Sequence, residues 1–456
     1  MRRHTRPLAA LAALALITAA CGGDDDTNEA DTTTTAAIAE GEPEETAPDP
    51  EETTPEPGAE GPIAVGALYP LTGSSAAAGE QTLNGVNLAA EIVNGEFGDL
   101  APLPLAATAG LPNLGGAMIE IKSADHAGKP ETGATETERL ITGEGVVAVI
   151  GAYFSSVSKT ASERAERLGV PFVNGASSST ALTEDRDLKY FFRTGPSDHT
   201  FALTFFEFLE DLEERDGISL RNIALLWEHT AFGTDAADVT RELAEEFGFD
   251  VVADIGHGND VADIGPEAQQ IISADPDVIF QASYTPEAIL FTEAWAVNDY
   301  GAPTLAFGAG FSDNALFEAV GDRADFVIAR AAWSLESVSD NPAASAVAAL
   351  YEERFGVPMD ENSARTFTAA LTLFNAVNEA GSTDPAAIRD AVAATDLSGD
   401  QTIMPWGGVK FGPSGQNDLA RGVVLQRIDD EYRVVWPFEA ASTELVWPIP
   451  KPSERG

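Results

Sequence analysis

The stretch Val146–Thr180 constrains the fold of this chain more than any other, because it reads as a complete strand–helix–strand unit. Five apolar, β-favouring residues, Val146 to Ile150, stop at Gly151. A loop of small and hydroxyl residues follows, then an amphipathic run from Val157 to Leu168. A second apolar run, Val170 to Val173, ends in the hydroxyl-rich segment Asn174–Thr180. A βαβ unit implies a parallel sheet, and in such sheets ligands bind at the carboxyl ends of the strands. Ser155 and Ser156 open the helix, where free backbone N–H groups and the helix dipole favour a negative group. Serines at this place are also ordinary helix caps, so both readings stand at this point. Asn174–Thr180, which contains Ala176, Ser177 and Ser178, can supply further donors to the same spot. The expectation is a pocket for a small anion, a carboxylate.

The same alternation runs through the rest of the chain. Strands are expected at 63–69 and 118–124, helices at 76–94 and 130–141, and an extended segment at 189–194. Residues 95–116, rich in Gly, Pro and Ala, read as an inserted surface loop. Ser197 and Asp198 cap a helix with the apolar stripe Phe201, Phe205, Phe208 and Leu212. From Asn222 the pattern restarts, with strands at 223–227, 251–255, 278–281, 304–307 and 326–332 and helices between them. Helices follow at 342–355, 365–380 and 385–394, then short strands at 409–411, 423–428 and 432–436. Two successive βα arrays imply two lobes with a cleft between them. No repeat of 20–50 residues argues for a solenoid.

The first sixty residues are of another kind. Arg2, Arg3 and Arg6 precede an apolar run from Leu8 to Ile17 that is too short to span a bilayer, and Thr18-Ala-Ala-Cys21 reads as a cleavage site. Residues 1–20 are therefore expected to be a signal peptide. Cys21, the only cysteine, resembles the lipidated residue of a bacterial lipobox, although Thr18 stands where Leu is usual; plain secretion is the alternative. With one cysteine there is no internal disulfide. Residues 22–61 hold fourteen Asp and Glu and no Lys or Arg, with five prolines, so 21–61 reads as a disordered acidic tether. A formal net charge of −48 excludes nucleic acid as a partner.

Ile63-Ala-Val-Gly-Ala-Leu-Tyr-Pro-Leu-Thr-Gly73 followed by Asn84–Ala90 resembles the start of the branched-chain amino acid (Leu/Ile/Val) binding proteins of ABC transporters. The resemblance continues through Val149-Ile-Gly151, Ser155-Ser156, Gly169-Val-Pro171, Gly175-Ala-Ser, Phe232-Gly233 and Tyr284-Thr-Pro-Glu287, and covers about residues 62–435. It implies an α/β, type I periplasmic-binding fold: two doubly wound lobes joined by a hinge of three crossing strands. Lobe one would be 62–193 plus 335–412, and lobe two 194–334 plus 413–456. By this resemblance Ser155, Ala176 and Ser178 hold a ligand carboxylate, and Phe232 and Tyr284 wall the cleft. The Glu that grips the ammonium in amino-acid binders aligns with Ala309, so either Asp313 or Glu228 replaces it or the ligand has no α-amino group. Tyr69 and Tyr153 point to the cleft if the strand ends are placed correctly, and are core residues otherwise. The implied protein is a monomeric, extracytoplasmic, lipid-anchored solute carrier. Its partners are a small amino acid, carboxylate or amide, an ABC permease, and the membrane through its anchor. A ligand-sensing receptor of the same fold is the alternative.

Other chemistries are weaker. Ser156-Val-Ser-Lys159 is an S-x-x-K and Ser312-Asp-Asn314 an S-D-N, two of the three marks of serine acyl-enzymes, but no K-T-G follows. The five histidines show no ligand spacing, and Asp396–Asp400 matches only the start of a calcium loop. No nucleotide-binding glycine pattern appears, so no cofactor and no enzymatic activity are expected.

Overall fold

A computed structural model describes residues 61–184, 186–259 and 261–455. The expected signal peptide, Cys21 and the acidic tether lie outside the described residues. The chain begins with β1 (Ile63–Tyr69), α1 (Ala76–Asn94), β2 (Ile119–Asp125), α2 (Pro130–Gly143) and β3 (Val149–Gly151). It continues with α3 (Ser155–Leu168), β4 (Phe172–Asn174), β5 (Phe191–Arg193) and α4 (Asp198–Asp216). The second array is β6 (Asn222–Glu228), α5 (Ala231–Phe247), β7 (Asp250–His257), α6 (Gly265–Ala274), β8 (Val278–Ala282) and α7 (Thr285–Val297). Then come β9 (Thr304–Ala306), α8 (Asn314–Val320), β10 (Ile328–Ala331), α9 (Pro342–Phe355), α10 (Glu361–Ala380) and α11 (Pro385–Ala393). The chain closes with β11 (Asp396–Ser398), β12 (Gly408–Lys410), β13 (Val423–Ile428) and β14 (Glu431–Trp436).

Two sheets carry the fold. The first is ordered β2-β1-β3-β4-β5, all parallel. The second runs β14-β13-β10-β9-β8-β6-β7. Its parallel part, β7-β6-β8-β9-β10, repeats the order of the first sheet, with the antiparallel pair β13–β14 added at one edge. Each sheet therefore has a topological switch point, between β1 and β3 and between β6 and β8, where strand ends open a crevice. Strands β3, β4, β5, β8, β9 and β10 are buried along their whole length, as continuous apolar strands covered on both faces must be. The chain leaves the first sheet through residues 194–197, leaves β10 of the second through 332–341 for α9 and α10, which packs on α1, forms the separate pair β11–β12, and rejoins the second sheet through 411–422.

Helix packing follows the apolar stripes. The Phe201, Phe205, Phe208 and Leu212 stripe of α4 is fully buried, and Phe205 and Phe206 meet Phe280 of β8 at ring distances of 5.8 and 5.1 Å. α1 lies against α10 so closely that a Cβ at Gly85 would stand 2.3 Å from the carbonyl oxygen of Ser363. Thr366 Oγ1 donates to the Thr82 carbonyl at 2.8 Å across this contact.

Two expectations need correction. Residues 95–116 do not form a loose surface loop: Leu100, Leu103, Leu111 and Leu114 are buried in the main core, and the segment contains two short 3-10 turns. α10 begins at Glu361 rather than at Arg365, because Asp360 and Ser363 form a reciprocal capping box.

Candidate functional site

The site is built from loops at the carboxyl ends of both sheets. After β3 the chain turns at Tyr153 and Phe154 into α3, whose N-cap, Phe154, has no side chain that can accept. The first-turn N–H groups of α3 are therefore not satisfied by a cap. Ser155, the first helical residue, is 2 % exposed, and its hydroxyl accepts from Ser179 N at 3.4 Å. After β4 the hydroxyl-rich loop is pinned by Asn174, whose side chain donates to the Gly151 carbonyl at 2.8 Å and accepts from Ser177 N at 3.0 Å. Ser177 in turn donates to the Ala152 carbonyl at 2.6 Å and lies 2.6 Å from the Ser158 hydroxyl. Ser177 thus fixes the loop, and Ser178 is carried beside Ser155.

The second sheet supplies the opposite wall. Tyr284 follows β8, with its backbone N–H donating to Glu228 Oε2 at 3.0 Å. Its ring stands 5.3 Å from Phe232, 5.9 Å from Tyr153 and 4.7 Å from Phe154. Burial, first, and then Tyr153 and Glu228 hold the Tyr284 phenol neutral, well above its ordinary pKa, and a hydrogen bond with the Ser155 backbone opposes them. The cavity left between the walls is about 20 Å³, room for little more than one water. A solute larger than that needs Tyr284 displaced or the walls parted.

Of the expected residues, Ser155, Ala176, Ser177, Ser178, Tyr153, Phe232, Tyr284 and Ala309 line this cavity. Ser156, Tyr69 and Asp313 do not. Ser156 is half-buried on the first turn of α3, and Tyr69 is buried in the core at the end of β1. Asp313 caps α8, accepting from Ala315 N at 2.9 Å and from the Thr285 hydroxyl at 2.7 Å. Lys159, of the S-x-x-K, is exposed, and the Ser312 hydroxyl of the S-D-N donates to Glu361 Oε2 at 2.9 Å.

Four lining residues were not foreseen: Ser312, Arg330, Asn362 and Arg365. Arg330 (β10) and Arg365 (α10) converge on Glu361, with Nη1 atoms 2.9 and 3.4 Å from its Oε1. Ala332 N donates to the same oxygen at 3.1 Å. The Arg330 guanidinium lies 3.5 Å from the centre of the Phe201 ring and occupies the space a Cβ at Gly308 would need, 2.5 Å from Nη1. Burial pulls Arg330 down to about 10 against the opposing pull of Glu361. Asp198, at the start of α4, is fully buried, and burial followed by Asp235 pushes it up to about 7; Ser178, Arg330 and Arg193 pull the other way. The only local signal for this wall was the capping pair Asp360 and Ser363, which sets Glu361, Asn362 and Arg365 on the first turns of one helix.

The sequence model of the periplasmic binding protein family matches residues 62–432. The chain belongs to the periplasmic binding protein family. A relative from Brucella abortus, a Leu/Ile/Val-binding protein homologue, is 26 % identical over 398 residues, 85 % of this chain and 94 % of its own length. A leucine-binding protein from Thermotoga maritima superposes with a TM-score of 0.69 at 20 % identity, over 81 % of this chain and 97 % of that one. A solute-binding protein of an ABC transporter from R. palustris, in complex with benzoate, gives 0.69 at 19 % identity, over 82 % and 96 %. At these identities the structures establish the fold, which is type I periplasmic-binding. This periplasmic binding protein is a solute-binding protein, and membership of the family implies an extracytoplasmic place. Among the described residues no helix is long and apolar enough to cross a membrane.

Proposed function

We propose that this chain is the lipid-anchored solute-binding component of an ABC importer, which captures a small carboxylate-bearing solute by hinge closure and presents the closed form to a permease. Residues 62–193 plus 335–412 would move as one lobe and 194–334 plus 413–456 as the other. Cys21 would carry the anchor once residues 1–20 are removed, and 21–61 would act as the tether of a monomeric carrier. The observation that carries the reading is the donor cluster of the first sheet. The uncapped α3 N-terminus, Ser155 and Ser178 face Tyr284 and Phe232 across one small cavity at the carboxyl ends of both sheets. A carboxylate there accepts the Ser155 and Ser178 hydroxyls and the backbone of the Ala176 loop. Closure then requires only that the solute bind the closed arrangement better than the open one.

The Leu/Ile/Val-binding relatives make branched-chain amino acids one candidate class, and the benzoate complex makes amine-free carboxylates another. A thermal-shift screen of amino acids against simple carboxylates and amides tests the reading. A rise in melting temperature with any small acid, lost in Ser155→Ala/Ser178→Ala, supports it; a shift only with solutes lacking a carboxylate defeats it.

A further inference from the structure

A second chamber adjoins the solute cavity. Its volume is about 180 Å³, and it shares Ser312 and Arg330 with that cavity but none of the serine-loop residues and neither Tyr284 nor Phe232. Its apolar surface comes from Phe311, Phe317, Trp333, Met359, Leu425 and Tyr432. A wider recess of about 750 Å³ lies next to it, and Leu335, Met359 and Tyr432 line both. A dry apolar cavity of about 150 Å³ accepts benzene, so this chamber has room for a body of about six to eight heavy atoms.

The charges around the chamber do not balance. Its charged lining residues are Arg330, Asp360 and Glu361. Arg330 is spent on Glu361 at 2.9 Å, and Arg365 goes to the same carboxylate at 3.4 Å. Arg330 Nε has no partner, but its guanidinium is already balanced by Glu361 and covered by the Phe201 ring at 3.5 Å. Asp360 is placed differently. Its Oδ1 accepts from Ser363 N at 2.8 Å, while Oδ2 is buried with no hydrogen-bond partner among the described residues. Burial pushes this acid up to about 6, with the Ser363 hydrogen bonds pulling the other way and Glu361 and Asp313 adding to the rise. It is therefore mainly ionised at neutral pH. The recess has the same sign: Glu336, Glu352 and Glu431 stand against Arg433 alone. A negative, low-dielectric recess concentrates cations.

We propose that this chamber is a second binding site, for a small molecule that carries a primary ammonium on an aromatic or branched aliphatic body. The body packs on the aromatic rings and on Met359, and the ammonium pairs with Asp360, where ring faces add a cation–π contribution. An anion there would meet Asp360 and Glu361 with Arg330 already paired. A purely apolar guest would leave the Asp360 oxygen buried and unpaired, at a cost. The site stands apart from the carboxylate assignment made for the serine loops.

Isothermal titration calorimetry on the full chain with benzylamine, benzyl alcohol and methylammonium tests the proposal. Benzyl alcohol has the body without the charge, and methylammonium the charge without the body. We expect benzylamine to bind at least about tenfold tighter than either. Asp360→Asn keeps a good helix cap and removes the charge, so benzylamine should fall to within about threefold of benzyl alcohol. In Ser155→Ala/Ser178→Ala its affinity should stay within about twofold of that of the unaltered chain. Failure of benzylamine to bind overturns the proposal, as does benzyl alcohol binding equally well. So does a benzylamine preference that survives in a folded Asp360→Asn, or one lost in the double serine variant, which would put the amine in the cleft. If Asp360→Asn does not fold, Leu335→Lys serves, since Leu335 is 49 % exposed and lines both the chamber and the recess. The added cation should weaken benzylamine at least about threefold and benzyl alcohol less; unchanged benzylamine affinity overturns the proposal.

Discussion

The two walls of the cleft are built on different principles. The wall of the first sheet is one continuous idea in the sequence: a strand end, an uncapped helix start and a serine loop held by Asn174 and Ser177. Its donors are neutral and short. The charged part of the lining is assembled from residues 309–312 and 330, after β9 and in β10, and from 361–365 of α10, which packs on α1, and its donors are buried guanidiniums held by Glu361 and Phe201. A neutral wall can lose a member and keep its fold. A wall of buried charges cannot, because each charge is tolerated only through its partner.

The largest expected effect follows from that difference. Arg330→Ala removes the partner of a buried carboxylate and empties the space over the Phe201 ring. Breaking such a pair costs about 3–5 kcal/mol, and urea denaturation should show a loss of that size. Arg330→Met refills the space over the ring but leaves Glu361 with Arg365 as its guanidinium partner, so it should recover only the packing part, less than half of the loss. An Arg330→Met variant as stable as the unaltered chain would mean that the charge pair is not what the wall depends on.

The first wall should respond in affinity rather than stability. Ser155→Ala/Ser178→Ala removes two hydroxyl donors to a charged group, each worth about 1.5–3 kcal/mol when lost. The affinity for a bound carboxylate should fall at least about 30-fold, with a melting temperature close to that of the unaltered chain. Unchanged affinity would move the carboxylate elsewhere; a collapse in melting temperature would make these serines structural, like Ser177.

The same contrast explains what was legible in the sequence. The βα alternation, the α4 stripe and Ser155 to Ser178 are local patterns, each set by residues that are close neighbours in the chain. Ser312, Arg330 and Arg365 meet only because β9 and β10 end where α10 begins, and no local period encodes that meeting. The helix that carries Arg365 was also expected to begin too late. Its true start is fixed by the reciprocal bonds of Asp360 and Ser363, a short signal set before an apolar stretch that begins later. Residues 95–116 misled for a related reason: Leu100, Leu103, Leu111 and Leu114 are buried without any helical or strand spacing, so composition alone pointed to the surface.

A buried acid at the start of α4 gives a pH-dependent test. Asp198 sits at about 7 in the fold, against an ordinary value near 3.8, mainly through burial. With the folded value raised, the folded state holds a proton that the unfolded chain has released. Stability is then lost as pH rises from the unfolded value to the folded one, and is level above about 7. Asp198→Asn removes this dependence. Its advantage over the unaltered chain should be negligible near pH 4, grow as pH rises, and exceed ~1 kcal/mol at pH 8. A constant difference from pH 5 to 8 would show that the neighbouring arginines keep Asp198 ionised throughout.

The smallest effect concerns the mouth of the cleft, where the neutral wall meets the other half of the molecule. Asp235 of α5 accepts from Thr180 N at 2.6 Å and from Ala181 N at 3.2 Å, the first N–H groups of a short 3-10 turn. This partly exposed clasp is worth about 1 kcal/mol, or roughly fivefold in a population. Its effect on binding depends on the state of the empty protein. If the empty protein rests closed, the clasp is present before and after binding, so Asp235→Ala cancels in the affinity and acts on the opening step. We expect that case, because the clasp and the contacts of the Tyr284 ring with Phe154 and Tyr153 already join the two walls. Stopped-flow measurement should then give association about fivefold faster in Asp235→Ala, with Kd changed by less than about twofold. If Kd instead weakens about fivefold while association is unchanged, the clasp forms only with solute present, and the empty carrier rests with its walls apart.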